Sequence, residues 1–154
     1  SATELLKRDI LTSALLRTLF GKSSKFFARL YEKGIINKSF SAFYEYEDSC
    51  AYAAFSGDCP NPDEVAENIF TEIENAINEA DFERSKKVLL GNFISMLDST
   101  ESLGNEYMFA YHRGIDLFEY PSLCKEINVS EATERLKQLF TKENSTLSVV
   151  LPKK

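Results

Sequence analysis

Residues 4–20 read ELLKRDILTSALLRTLF, and Gly21 follows them. Apolar side chains fall on nearly every side of a helix built from this stretch, so only a narrow polar stripe remains. A helix with that pattern is buried on most of its surface, and glycine commonly ends a helix. The stretch therefore predicts a central helix that the rest of the chain surrounds.

Six further helices are predicted from capping signals and apolar periodicity. Asn61 and Pro62 form the clearest start, because asparagine caps a helix, proline fits its first position, and Glu64 can close a capping box. Residues 98–101 form a second capping box. The predicted helices run from Ser23 or Ser24 to about Lys33, from Asn61 to about Asn78, from Asp81 to about Leu97, from the second box to about His112, over residues 122–126, and from Ser130 to Phe140.

Strands are predicted at two distant places in the chain. Residues 39–46 and 50–56 alternate in period two and are rich in aromatic side chains, with a turn at 47–49, which indicates an antiparallel hairpin. Residues 146–151 predict a terminal strand of the same sheet. The order of elements is typical of an α+β fold with a largely antiparallel sheet and helices packed on one face. Because three strands are few for so many helices, we expect residues 1–154 to be a single domain cut from a longer chain, without its first strands.

Composition excludes several classes of function. The 154 residues carry 18 Lys and Arg against 24 Asp and Glu, a net charge of −6, which is a poor basis for binding nucleic acid. No apolar run approaches the ~20 residues that a membrane span requires. Three cysteines and the lack of a secretory signal pattern predict a cytoplasmic protein.

Candidate catalytic and metal-ligating residues are few. His112 is the one histidine, and zinc sites of the HExxH type or its inverse need two. The cysteines, Cys50, Cys59 and Cys124, lack C-x-x-C spacing and are interpreted as small apolar residues. His112, near a predicted helix end, is a lone general base at best, and a structural role is favoured. We therefore predict no catalytic residue and no metal ligand, and substrate-binding residues stay unknown.

Two other patterns have a functional and a structural interpretation. Residues 21–24, GKSS, suggest a phosphate-binding loop, but Leu16 occupies the position of the first glycine and a helix replaces the strand that should precede it. A helix–turn–helix corner is the better prediction. The acidic residues Glu45, Glu47 and Asp48 could bind a metal or act as an acid–base pair, but around a hairpin turn they are typical of a solvated edge that discourages strand addition.

An ordered series of segments carries a resemblance to a known family. The series comprises the leucine-rich helix ending in residues 21–25, residues 30–34 (LYEKG), the aromatic hairpin closing on residues 55–58 (FSGD), the helix starts at residues 61–63 and 81–86, residues 96–102 (MLDSTES), and residues 148–152 (SVVLP). The series is similar to the C-terminal half-domain of the insulinase/pitrilysin family of zinc peptidases.

This resemblance implies a function within a larger protein. In that family the zinc site, an HxxEH motif with a distant glutamate, belongs to the N-terminal domain, and the C-terminal domain closes a chamber around an unfolded peptide. The chain alone is then expected to be inactive and without a cofactor, and its partners to be the N-terminal catalytic half and a peptide. The alternative is an interaction or assembly domain of a family member that has lost catalysis.

One position departs from the family pattern. Many active members have Leu-Arg-Glu where this chain has Leu30, Tyr31 and Glu32, and a tyrosine where it has Asn37 or Lys38. The family's arginine and tyrosine contact substrate, so neither role is assigned here. Some relatives work as pairs with one inactive partner, so a paralogous subunit is another expected partner. Aromatic side chains of the hairpin, left uncovered by missing strands, would also favour a self-dimer.

Overall fold

The computed structural model of the protein describes residues 1–46 and 50–151. Within these ranges helices alternate with one hairpin. The helices are α1 (Ala2–Phe20), α2 (Lys25–Glu32), α3 (Pro62–Ile73), α4 (Glu79–Leu97), α5 (Thr100–His112), α6 (Tyr120–Glu126) and α7 (Val129–Leu139); the strands are β1 (Ser41–Tyr46) and β2 (Ala51–Ser56); short 3-10 helices span Leu117–Glu119 and Lys142–Asn144. None of the helices described is long and apolar enough to cross a membrane.

Helix α1 lies at the centre of the fold, as its pattern predicts. It packs against β1, α2, α4, α6 and α7. Its buried residues are Leu6, Ile10, Leu11, Thr12, Ala14, Leu15, Leu16, Leu19 and Phe20. The helix begins two residues earlier than predicted, because the Ser1 hydroxyl accepts a hydrogen bond from the Glu4 N–H and caps it. Helix α1 buries more apolar side chains than any other described element, so it is the largest single contributor to hydrophobic stabilisation.

The corner after α1 depends on Gly21. The glycine is extended, with φ −63° and ψ 159°, rather than left-handed, and its N–H donates to the Arg17 carbonyl. A Cβ atom at this position would lie 2.4 Å from the Arg17 carbonyl oxygen, so only glycine fits. Ser24 then caps α2, and Gly34 at φ +69° follows the helix, as expected. The GKSS pattern is therefore a helix–turn–helix corner.

The hairpin confirms the alternating pattern. Strands β1 and β2 are antiparallel, with Ser41 opposite Ser56 and Tyr46 opposite Ala51. Phe55 packs edge-on against Phe20 at 4.8 Å between ring centroids, which anchors the hairpin to the end of α1. The predicted turn at 47–49 lies outside the described residues.

Several helix starts differ from the prediction for one physical reason. Asn78, not Asp81, caps α4, because its side-chain oxygen accepts from the Asp81 N–H at 3.0 Å. In the same way Asn128 caps α7 and forms a capping box with Glu131, so the helix starts before Ser130. In both helices an asparagine two or three residues upstream of the predicted start takes the cap, because asparagine is among the strongest N-cap residues.

The predicted terminal strand at 146–151 is wrong. These residues are exposed and pair with no strand in the described part of the chain, and the sheet found there consists of β1 and β2. Val150 is 94% exposed. A β-branched run favours a strand only where a neighbouring edge supplies the hydrogen bonds. The α+β class is nevertheless confirmed, with many helices around a small antiparallel sheet.

Candidate functional site

A pocket of about 350 Å³ opens between α1, β1, α4, α5 and the start of α6. Most of the residues that line its floor are apolar. The apolar lining comprises Leu6, Leu89, Phe93, Met96, Phe109, Ala110, Ile115 and Leu117. Concave apolar pockets with a few polar groups are the usual place for a ligand, so this pocket is the candidate site.

Aromatic rings form two walls of the pocket. Phe93 of α4 stacks on Tyr120 of α6, with centroids 4.7 Å apart and an angle of 2° between the rings. Tyr46 of β1 meets Phe109 of α5 edge-on at 6.4 Å. The Arg113 guanidinium lies over the Phe109 ring at 3.6 Å from its centroid. The protein's own cation therefore already occupies a face of the Phe109 ring.

Three carboxylates line the same pocket, each from a different element. Asp9 comes from the apolar helix α1, Glu45 from β1 and Glu106 from α5. The pKa of Asp9 is raised to about 6, chiefly by burial and then by the charges of Glu106 and Glu45, against a hydrogen bond with Ser13 that lowers it. The pocket thus holds negative charge in an environment that opposes it.

The tyrosines of the pocket keep their protons at neutral pH. The pKa of Tyr46 is raised to about 12, chiefly by burial and then by the Asp9 charge, against the Arg113 charge, which lowers it. Burial is also the main cause of a raised pKa at Tyr120, followed by the charges of Cys124 and Asp9. Both hydroxyl groups are therefore hydrogen-bond donors or acceptors, not anions.

The structure places the other sequence candidates away from this pocket. His112 is exposed at the end of α5, against the edge of the Tyr111 ring at 6.0 Å. Cys50 is exposed and Cys59 half-buried, while buried Cys124 donates from Sγ to the Lys86 carbonyl at 3.5 Å. Glu45 of the predicted acidic cluster is exposed and lines the pocket, and Glu47 and Asp48 lie outside the described residues.

Sequence reasoning missed most of the pocket. Asp9 had a detectable signal, since it is a carboxylate within a helix that is apolar nearly all round. Glu106, Tyr46 and Phe109 had none, because each looks like an ordinary surface residue of its own element. Tyr31, where the family pattern has arginine, is stacked on Phe27 at 5.7 Å and is not part of the pocket.

The residues of this chain do not fit a catalytic zinc ion. Within residues 1–46 and 50–151 no three His, Cys, Asp or Glu side chains converge as a metal site. The chain's single histidine cannot supply the two imidazoles of an HxxEH motif.

Comparison with known families decides the identity of the domain. Residues 3–89, more than half of the chain, match the family model described as "Peptidase M16 inactive domain". The chain belongs to that family. This result confirms the resemblance to the C-terminal half-domain of zinc peptidases.

Individual relatives agree with this M16 assignment. The chain is 31% identical over 153 residues to "Uncharacterized zinc protease YmfH" of Bacillus subtilis, covering 97% of this chain and 36% of that protein. A candidate M16-like peptidase structure from Alicyclobacillus acidocaldarius superposes with a TM-score of 0.83 at 26% identity, over 88% of this chain and 34% of the other.

A structure of a candidate zinc protease from Bordetella pertussis Tohama I has a TM-score of 0.73 at 13% identity, over 96% of this chain and 86% of the other. At that identity the likeness shows a shared fold alone.

The chain spans about a third of the length of the Bacillus subtilis relative, of which it covers 36%.

Proposed function

We propose that this chain is the non-catalytic C-terminal domain of a longer zinc peptidase, where it closes the substrate chamber and helps to hold an unfolded peptide. The N-terminal catalytic half would supply the metal and the base, and peptide-bond hydrolysis by zinc-activated water would occur there. The observation that carries the proposal is the match of residues 3–89 to a domain described as inactive. The single histidine and the lack of fit to zinc support it.

The first experiment tests the chain by itself. The purified 154-residue chain is assayed for bound zinc and for cleavage of an unstructured peptide. We expect neither, since the metal and the base belong to the other half. Stoichiometric zinc together with chelator-sensitive cleavage would contradict the proposal.

The second experiment tests the chamber. In a chimaera, this chain replaces the matched third of the Bacillus subtilis relative, and the relative lacking that third serves as control. If the chain closes the chamber, the chimaera cleaves an unstructured peptide, and the truncated control cleaves the same peptide at a much lower rate. Equal rates for chimaera and control would show that the domain contributes nothing to the reaction.

A second candidate function is favoured by Tyr31. Because tyrosine stands where active relatives have a substrate-contacting arginine, the parent protein could serve assembly rather than hydrolysis. In that case the longer protein would lack HxxEH in its N-terminal half, and the domain would bind that half without any peptide turnover. The sequence of the N-terminal half separates the two candidates.

A further inference from the structure

We propose that the pocket between α1, β1 and α5 receives a basic side chain, lysine or arginine, of a bound peptide. This inference rests on the proposed function, which brings an unfolded peptide to the domain. It adds the chemical class of residue that this surface recognises.

The shape of the pocket suits one long side chain. Its volume of about 350 Å³ is at the small end of the ~300–1,000 Å³ of ligand pockets. The floor is formed by aliphatic and aromatic groups, among them Leu6, Ala110 and Ile115. Lysine and arginine bury their methylene stems against such a surface and keep the charged head near a polar rim.

The charges around the pocket complement a cation. Asp9, Glu45 and Glu106 present three carboxylates from three elements to one cavity. Glu45 and Glu106 are exposed and lie towards the mouth, whereas Asp9 is half-buried. An ammonium or guanidinium group entering between them gains attraction from all three, in an environment less polar than water.

The aromatic rings of the pocket contribute less than the carboxylates, because a cation of the protein already lies over them. A cation over the face of a tyrosine or phenylalanine ring is stabilised by the ring's quadrupole. The Arg113 guanidinium takes this position, 3.6 Å from the Phe109 centroid and 5.9 Å from the Tyr46 centroid. The three carboxylates therefore carry the selection for positive charge, since a neutral or acidic side chain gains no attraction from them.

The charge state of Asp9 should report on whether a cation is bound in the pocket. Four groups interact electrostatically with Asp9: Glu45 and Tyr46 from β1, Glu106 from α5 and Tyr120 from α6. Arg113 adds a positive charge near Tyr46. The carboxylates repel one another, which favours the protonated form of Asp9. A bound cation favours the ionised form, so binding should lower the pKa of Asp9 and should weaken as pH falls through 6.

The experiment is a nuclear magnetic resonance titration of the 154-residue chain with unstructured Gly-Ser peptides. The peptides differ only at the central residue, which is lysine or its uncharged analogue norleucine, and arginine or its neutral isostere citrulline. At pH 7.5 we expect the basic peptides to shift the resonances of Tyr46, Phe109 and Ala110. We expect the neutral peptides to bind at least about tenfold more weakly, equivalent to ~1.4 kcal/mol.

Two variants and a control locate the site. Asp9→Asn and Glu106→Gln should each weaken the lysine peptide about tenfold and should reduce the decrease in affinity between pH 7.5 and 5. Glu134→Gln, which removes an exposed carboxylate from α7 at the same cost in net charge, should change neither. An equal effect of all three variants would mean that only overall charge matters and would overturn the proposal.

Other outcomes identify other occupants. Equal affinity for the norleucine and lysine peptides would make the pocket a site for an apolar side chain and would overturn the proposal. Tighter binding of the free diamine cadaverine than of the lysine peptide would overturn the assignment to a peptide. Because this titration needs no hydrolysis, its failure is distinguishable from failure of the chimaera to cleave.

Discussion

At the scale of single residues, Asp9 is the most unusual group in the protein. It is a carboxylate on the central apolar helix, and its neighbours across the pocket include two more carboxylates. A half-buried carboxylate among other carboxylates costs free energy, and the protein lowers that cost by favouring the protonated form. A group of this kind at the wall of a cavity is more typical of a binding site than of a core.

The replacement Asp9→Asn should stabilise the protein at neutral pH. The pKa of Asp9 rises from its ordinary value of 3.8 to about 6 on folding, so the native state binds this proton more tightly than the unfolded state. Stability contributed by the group is then present below pH 4 and is lost as pH rises through 6. We expect the variant to gain on the order of 1–3 kcal/mol at pH 7.5 and nothing below pH 4.

Urea unfolding of both proteins at a series of pH values measures this difference. Glu134→Gln, on the exposed face of α7, is the matched control and should show no such pH dependence. A constant difference between wild type and Asp9→Asn at all pH values would contradict the raised pKa.

Arg135 is a second residue whose removal has a predictable cost. Its Nε donates to the Thr12 hydroxyl at 3.1 Å and its Nη2 donates to the Tyr44 hydroxyl at 3.1 Å, joining α7 to α1 and β1. Thr12 is fully buried. Arg135→Met keeps most of the apolar stem but leaves both hydroxyls without this donor, so unfolding free energy should fall by about 1–3 kcal/mol.

Chemical denaturation of Arg135→Met beside Lys137→Met tests this role. Lys137 is exposed on the same helix, so its replacement should cost less than about 0.5 kcal/mol. Equal losses in the two variants would show that the Arg135 hydrogen bonds contribute nothing beyond side-chain packing.

At the scale of elements, α4 contains a glycine that weakens it. Gly91 lies in the interior of Glu79–Leu97, is exposed, and a Cβ atom there would meet no atom within 4 Å. Gly91→Ala should therefore raise the unfolding free energy by about 0.5–1 kcal/mol through helix propensity alone. Gly57→Ala should do the opposite, since its Cβ would lie 2.8 Å from the Phe40 Cα.

Thermal unfolding of the two alanine variants measures both signs in one experiment. The expected order of midpoints is Gly91→Ala above wild type and Gly57→Ala below it. A destabilised Gly91→Ala would show that the exposed centre of α4 needs the flexibility of glycine.

Elements that depend on local chemistry were predictable from the sequence, and elements that depend on distant partners were not. The central helix, the hairpin and the Asn61 cap follow from side chains within a few residues of one another. The helix starts at Asn78 and Asn128 required a choice between two neighbouring caps. Residues 146–151 have strand composition, but a strand needs an edge to pair with, and sequence alone does not show where such an edge lies.

The candidate site was still harder to predict, for the same reason. Asp9, Glu45 and Glu106 are separated by about 36 and 61 positions, and only the packing of α5 beside β1 and α1 brings them to one pocket. Periodicity places a residue on a face of its own element but does not show which other element that face meets. The family resemblance gave the domain type, and it assigned no residue of this pocket.

At the scale of the whole molecule, α5 stands out as a weakly covered helix. Ala110 is its one buried residue along Thr100–His112, all of which the structure describes. Tyr111 lies four positions after Tyr107 and three after Met108, so it neighbours both side chains on one side of α5, and all three are exposed. Adjacent exposed apolar side chains of this size are typical of an interaction surface.

We therefore predict that the chain self-associates at micromolar concentration through this face of α5, and a twofold dimer is the commonest closed arrangement. Met108→Lys places a charge in the middle of the face and should shift the population to monomer in sedimentation velocity. Gln138→Lys adds the same charge to an exposed position of α7 and should leave association unchanged. Two results would contradict the prediction. The wild-type chain could sediment as a monomer over the whole concentration range, or the Met108→Lys variant could associate as strongly as wild type. In either case the exposed side chains of α5 would not form the interface between two copies.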